Sequence, residues 1–430
     1  MNDIATRVWN HRWKIDPIVR SLVDTDFYKL LMCQSVHRLH RRTRVAFSLI
    51  NRTTRIPLAR LVDEEELRLQ LDHVRSLRLT RGESTWLRGN TFYGKRQMFR
   101  PDFMEWFEAL RLPPYRLERR GDQYELTFEG AWPEVMLWEV PALAILMELR
   151  SRAVLATMGR FELQVLYARA MTRLWEKLER LRRLPDLRLA DFGTRRRHSF
   201  LWQDWCVQAC EEGLGQAFLG TSNCLIAKNR DLEAIGTNAH ELPMVYAALA
   251  RGDEALARAP YDVLRDWHEE HEGNLRIILP DTYGTEGFLA RAPDWLAGWT
   301  GIRIDSGAPE AGAEAAIRWW RSRGEDPASK LVIFSDGLDV ERIEHLHARF
   351  HGRVKVSFGW GTLLTNDFRG LVDDDALAPF SLVCKAVAAD GRPTVKLSDN
   401  PRKAMGPAGE VERYKRVFGV GEQVGVEVVV

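Results

Sequence analysis

At about 100 to 200 residues per domain, a chain of 430 residues calls for two domains with sizeable cores and excludes a short regulatory peptide. Its 62 Lys and Arg against 60 Asp and Glu leave a formal charge of +2, from which no overall polyanion-binding surface follows, and a nucleic-acid partner is not expected. The longest apolar stretch, Val140 to Met147, contains Pro141 and falls far short of the roughly 18 residues that cross a bilayer, so no membrane partner is expected either. The N-terminal MNDIATRVWNHRWK has no apolar run ahead of a small-residue cleavage site, and five cysteines form no disulfide framework. Both point to a cytoplasmic, reducing compartment. Cys206 and Cys210, four apart in a helical segment, read as buried thiols rather than metal ligands.

Through about residue 180 the chain is rich in Leu, Arg and Trp and mostly helical in period, as in Glu64 to Leu77 and Pro141 to Arg183. Val45 to Ile50 and Tyr124 to Glu129 are the strand candidates there. From about residue 185 the rhythm changes to short β-rich runs, each ending in polar residues and each followed by room for a helix. The runs are Leu187 to Ala190, Gln216 to Leu219, Leu275 to Leu279, Ile302 to Ile304, Leu331 to Phe334 and Val354 to Phe358. Six parallel strands with polar C-terminal ends predict a barrel whose active site lies in the loops after the strands; an open doubly wound sheet is the alternative. Beyond residue 375 the chain offers strands at Ser381 to Ala388 and Pro393 to Leu397, a basic stretch Lys396 to Lys403 and a Val-rich end, all expected to pack back on the N-terminal part. The expected fold is α/β: an irregular TIM-like α/β barrel over 141–374, plus an α+β domain built from 1–140 and completed by 375–430.

Gly193, Gly220, Gly307, Gly337, Gly359 and Gly361 all follow predicted strands, where a missing side chain lets backbone N–H groups approach a phosphate. Any one of them also reads as an ordinary turn glycine. Arg195, Arg196 and Arg303 stand at the same level and supply the forked donors that phosphate or carboxylate needs, against a plain reading of solvated charge, which fits Arg197 best. Asp281, Asp305, Asp336 and Asp339 offer carboxylates for ribose hydroxyls or for waters of Mg²⁺, or simply helix caps.

The runs DFGTRRR (Asp191 to Arg197), GTSN (Gly220 to Asn223), GTNAHE (Gly236 to Glu241), IRIDSG (Ile302 to Gly307), FSDGLD (Phe334 to Asp339) and FGWGTLLTND (Phe358 to Asp367) resemble the nicotinate phosphoribosyltransferase family. So do DTDFYK (Asp24 to Lys29), EGAWPEVMLWEVP (Glu129 to Pro141) and KLSDNPRK (Lys396 to Lys403), which extends the likeness over nearly the whole chain in one order. The resemblance implies conversion of nicotinate and phosphoribosyl pyrophosphate to nicotinate mononucleotide and pyrophosphate in NAD biosynthesis. It also implies coupling to ATP hydrolysis through a phosphohistidine, and a homodimer with shared active sites. A nicotinamide- or quinolinate-type transferase and a non-catalytic phosphosugar sensor are the competing readings.

Residue by residue, the resemblance makes Tyr28, from the partner subunit, and Phe192 the two faces of a slot for the pyridine ring, with Arg195 and Arg303 on substrate carboxylate and phosphates. Ser222 stands where nicotinamide-using relatives carry an aspartate, and is expected to donate to the nicotinate carboxylate. Arg196, Asp281, Ser306, Gly307, Ser335, Asp336, Gly337, Gly359, Gly361, Thr362, Lys396 and Lys403 are the expected phosphate- and ribose-binding set, the two lysines reaching across a dimer interface. Mg²⁺ is expected to arrive on the substrate, near Asp305 and Asp336, without direct protein ligation. His240, Glu241 and Asp305 are the expected catalytic residues: Pro243 places a helix start near His240, the phosphorylated residue, and Glu241 is expected to orient its ring. The family's DSGDP reads DSGAP here, with Ala308 in place of the second acid.

Overall fold

The computed structural model describes residues 16–421, so the N-terminal stretch and the Val-rich end lie outside the described residues. Among the described residues thirteen short strands form: β1 Arg44–Asn51, β2 Thr91–Phe92, β3 Lys95–Arg96, β4 Tyr115–Arg120, β5 Gln123–Ala131, β6 Leu189–Asp191, β7 Phe218–Thr221, β8 Ile277–Ile278, β9 Gly301–Ile304, β10 Leu331–Phe334, β11 Lys355–Trp360, β12 Leu382–Ala389 and β13 Arg392–Pro393. β2 and β3 make a small hairpin, and the other strands divide between two sheets.

The antiparallel sheet has the order β13-β12-β1-β5-β4, so strands from the two ends of the chain interleave. Phe47 of β1 pairs with Ala386 of β12 on one side and with Phe128 of β5 on the other. Burial alternates along β5, one face on the core and one toward water, which is the period-2 pattern its sequence carries. β4, YRLERR, lies at the sheet edge, where its charges guard an unpaired strand. Those same charges hide it from a hydrophobicity reading.

The parallel sheet has the order β7-β6-β11-β10-β9-β8. Each strand-to-strand step from β6 to β7, and from β8 through β11, moves one place in the same direction along the sheet. Right-handed crossovers then put every helix on one face, which a doubly wound sheet does not do. The first strand also pairs with the last, Ala190 opposite Gly359 and Asp191 opposite Trp360. The sheet is therefore a curled, incompletely closed barrel with its seam between β7 and β8.

Two elements differ from the sequence reading. The helical stretch predicted over 141–183 breaks into Glu139–Leu155 and Arg160–Leu181, where Gly159 opens the second helix and Glu162 reaches back to its N–H at 2.6 Å. The strand predicted over 393–397 ends at Pro393; after Thr394, whose N–H still donates to Val387 O at 3.0 Å, the chain leaves the sheet and Lys396 bridges to Met405. Cys206 and Cys210 are free thiols buried in the helix Phe200–Leu214. No described helix is long and apolar enough to cross a membrane.

Candidate active site

A proline inside a helix removes a hydrogen bond and clashes with the preceding turn, so Pro243 is at home only near a helix start. The helix runs Glu241–Leu249, with His240 at its N-terminal boundary. The His240 imidazole is 5% exposed, with Nδ1 2.9 Å from Thr282 Oγ1 and Nε2 3.0 Å from Asp305 Oδ2. Asp281 stands 3.6 Å from the same Nε2. Burial pushes the imidazole pKa down to about 4 despite Asp281 and Asp305, so the ring is neutral at pH 7 and keeps the lone pair a nucleophile needs. Burial alone would raise the Asp305 carboxyl, but Arg303, His240 and Lys396 hold it well below its ordinary range.

Glu241 does not orient this ring. Its carboxylate accepts from Trp132 Nε1 at 2.7 Å and pairs with Lys29, which also bridges to Glu139 at 2.5 Å. One step along a helix turns a side chain by about 100°, so neighbours at its start face different ways. Asp305 and Thr282 take the place expected for Glu241.

After β6, the Asp191 carboxylate accepts from Gly193 N at 2.7 Å, Gln203 Nε2 at 2.8 Å and Thr221 Oγ1 at 2.7 Å. This fixes the Asp-Phe-Gly turn and presents Phe192. A Cβ on Gly359 would lie 2.3 Å from the Phe192 ring, so that glycine seats the aromatic side chain rather than a phosphate. Tyr28 enters from the first turn of the helix Phe27–Leu39, tied to the barrel by Phe27 N donating to Ser222 O at 2.7 Å. Tyr28, Phe192, Arg195, Ser222 and Arg303 line one small pocket. The Arg195 guanidinium stands 5.5 Å from the Tyr28 ring centre and 3.3 Å from Asp26 Oδ2. Two aromatic rings and two guanidinium groups suit a flat heteroaromatic anion.

A larger cleft adjoins this pocket, sharing Phe192, Arg195 and Arg303. Arg196, Asp305, Ser335, Asp336, Gly337, Gly361, Thr362, Lys396 and Lys403 line it with His240. Among the described residues, seven Lys and Arg side chains face it against three carboxylates. Burial lowers the Lys396 pKa to about 8, with Asp281 opposing and Lys403 adding to the shift. Lys403 Nζ sits 2.6 Å from Asp336 Oδ1, and Ser335 Oγ donates to Asp305 Oδ1 at 2.6 Å. Such a surface binds a polyanion and stabilises charge on a departing phosphate.

Residues 187–422 match the nicotinate phosphoribosyltransferase family, and residues 23–147 match the N-terminal domain of the same family. The chain belongs to the nicotinate phosphoribosyltransferase family. A solved nicotinate phosphoribosyltransferase from Vibrio cholerae is 30% identical with a TM-score of 0.85, covering 96% of this chain and 97% of that one. One from Porphyromonas gingivalis is 28% identical with a TM-score of 0.81, covering 94% of this chain and 100% of that one. Membership makes the chain a pentosyltransferase and accounts for the barrel joined to a split α+β layer.

Tyr28 and Phe192 meet within one chain, and Lys396 and Lys403 reach the cleft of their own barrel. The helix Phe27–Leu39 and the 394–405 segment both pack on the barrel of their own chain. Ser222 differs from the sequence expectation, because its hydroxyl donates to Asp26 Oδ1 at 2.6 Å and so is not free to donate to a substrate carboxylate. Ser306 is buried and donates to Asp281 Oδ2 at 2.5 Å, and neither residue lines the cleft. Gly307 lies in a separate depression with Ala308, the residue that opens the helix Pro309–Ser322 without a side-chain cap. Asp339 caps the helix Val340–Phe350, accepting from Arg342 N at 2.7 Å. Arg197 is buried, not solvated, and pairs with Asp24 at 2.7 and 2.9 Å.

Glu139, Lys385, Arg52, Asp26 and Thr282 belong to the site and escaped the sequence reading. Two carried a signal: Glu139 interrupts the apolar run MLWEVPALAILM, and Lys385 interrupts SLVCKAVAA. A charge inside an apolar run is buried only with partners. Here they are each other's, Lys385 Nζ lying 3.3 Å from Glu139 Oε1.

Proposed function

We propose that this chain transfers the phosphoribosyl group of phosphoribosyl pyrophosphate to nicotinate, releasing pyrophosphate, and that the transfer is coupled to ATP hydrolysis through phosphorylation of His240. The observation that carries this reading is the adjacency of an aromatic, two-arginine pocket to a cation-lined cleft, with Phe192, Arg195 and Arg303 common to both. Nicotinate fits the pocket, its ring between Tyr28 and Phe192 and its carboxylate on the guanidinium groups. Its ring nitrogen has a free lone pair and forms the new bond to the anomeric carbon as the bond to the pyrophosphate oxygen breaks. The leaving group takes that electron pair, and Lys396, Lys403 and the arginines of the cleft neutralise the charge. No base is required, so the chain positions and neutralises.

Mg²⁺ suits the same cleft. Asp305 and Asp336 border it, and Asp281, facing the imidazole nitrogen that Asp305 contacts, keeps one buried oxygen without a hydrogen-bond partner. Carboxylates so sparse beside so many cations fit a metal that brings phosphate oxygens with it, and bound there it adds charge neutralisation of the leaving group. The neutral, buried His240 next to the cleft supports the phosphohistidine.

Incubation with labelled nicotinate, phosphoribosyl pyrophosphate, Mg²⁺ and ATP tests the reading. Nicotinate mononucleotide forms, ADP accumulates with it, and omission of ATP leaves a slower transfer. Binding of phosphoribosyl pyrophosphate without any nucleotide formation overturns the assignment in favour of a sensor.

A further inference from the structure

We propose that Asp399 is a positioning residue for phosphoribosyl pyrophosphate: it latches the 394–405 segment to the loops after β8 and β9 and thereby aims Lys396 and Lys403 into the cleft. The proposal rests on the reading of that cleft given above.

Once past β13 the segment crosses the barrel mouth almost without regular structure, so side chains and single hydrogen bonds must hold its shape. Leu397 N and Ser398 N both donate to Thr282 O, at 3.0 and 3.1 Å. Asp399 adds three ties to the barrel loops. Its N–H donates to Ser306 Oγ at 3.3 Å, and its carboxylate accepts from Thr285 N at 2.8 Å and from the Thr285 hydroxyl. One residue therefore joins the loop carrying Asp281 and Thr282 to the loop carrying Asp305, the three partners of His240.

The barrel loops are shaped to receive it. Gly307 has φ +74, and a Cβ there would lie 2.9 Å from the Asp399 Cβ. Gly284 has φ +101, with Asp399 Oδ1 3.9 Å from where its Cβ would stand. Next to the latch Ser398 has φ 66, a left-handed conformation that a non-glycine residue adopts only when its surroundings hold it there. This turn lies between the two lysines, and on its far side Lys403 Nζ reaches Asp336 at 2.6 Å and Asp305 O at 3.4 Å. Asp399 is absent from the cleft wall itself, so it acts through the lysines.

The test compares Asp399→Ala, Asp399→Asn and Thr285→Val in the full chain. Asp399→Ala is expected to raise KM for phosphoribosyl pyrophosphate on the order of tenfold and Thr285→Val, which keeps the Thr285 N–H bond, by less, both leaving KM for nicotinate unchanged and kcat within about threefold. The double variant is no worse than Asp399→Ala alone, because that variant already removes both bonds to Thr285. Asp399→Asn, which still offers an acceptor to Thr285 N–H and a donor to its hydroxyl, restores the wild-type KM. Amide exchange at Leu397 and Ser398 quickens in Asp399→Ala and not in Asp399→Asn. An unchanged KM for phosphoribosyl pyrophosphate in folded Asp399→Ala overturns the proposal, as does an equal rise for both substrates. Asp399→Asn as damaging as Asp399→Ala also overturns it, since charge and not the latch would then matter. If the wild-type chain forms no nucleotide, the functional reading fails, and amide exchange alone still decides the latch.

Discussion

The aromatic pocket and the cation-lined cleft share Arg195 and Arg303 yet differ in how their charges are kept. In the pocket every cation has an internal partner: Arg195 lies against Asp26 and Glu139, and Arg303 donates to Asn238 O at 3.0 Å and faces Asp305 at 3.4 Å. These groups are held in place before any ligand arrives, which lowers the entropic cost of binding. Arg196 and Lys396 in the cleft have no carboxylate within 4.0 Å among the described residues. Burial, with the charge of Arg195, lowers the Arg196 pKa to about 10, and burial lowers Lys396 to about 8. The pocket is thus built to select and the cleft is built to need an anion, so the polyanionic substrate should be the one whose binding stabilises the fold more.

The largest effect is expected where the two regions meet. His240→Asn abolishes ATPase activity and acid-labile ³²P incorporation and leaves a weak, ATP-independent transferase; full retention of the label would show that another residue carries the phosphate. Arg195→Ala raises KM for nicotinate by on the order of a hundredfold and KM for phosphoribosyl pyrophosphate much less, because it removes a charge-assisted contact to the pocket ligand. Equal losses for the two substrates would erase the distinction between the regions. Because Tyr28 and Arg195 of a single chain line the same pocket, mixing Tyr28→Ala with Arg195→Ala protein under exchange conditions is expected to restore no activity. Recovery through hybrid dimers would return Tyr28 to the partner.

Titration sharpens the contrast further. Lys396 binds anions in its protonated form, and its pKa of about 8 lies below the ordinary lysine value. As pH rises through about 8 the proton is lost, so KM for phosphoribosyl pyrophosphate rises above that pH while KM for nicotinate stays level. Lys396→Arg flattens the rise; a pH profile identical to wild type in that variant would remove Lys396 from the phosphate site. The smallest effect is expected for Ser222→Ala. Its hydroxyl already serves Asp26, so KM for nicotinate shifts by no more than about threefold, and a larger shift would make Ser222 a direct ligand.

Much of this molecule is legible from sequence because strand-end polarity repeats: each of the six runs predicted after residue 185 forms a strand of the barrel, and the motifs that follow them supply most of the cleft. Pro243 likewise placed the helix start at His240 correctly. Side-chain direction was not legible. Glu241 sits next to His240 in sequence and faces the Lys29–Trp132 side, while Thr282, some forty residues on, supplies the contact to Nδ1. Glycines were ambiguous for the same reason, since Gly361 lines the cleft while Gly359 only makes room for Phe192. Whether Tyr28 belongs to one chain or two depends on how the helix Phe27–Leu39 docks on the barrel, which local pattern does not encode.

Pyrophosphate release from phosphoribosyl pyrophosphate, measured with nicotinate, nicotinamide and quinolinate in turn, tests the central claim most directly. The two-arginine pocket predicts kcat/KM for nicotinate at least about a hundredfold above that for nicotinamide, which lacks the carboxylate the pocket grips, and above that for quinolinate, whose second carboxylate finds Asp26 rather than a third cation. Comparable release with nicotinamide or quinolinate would contradict the assignment of this pocket to nicotinate.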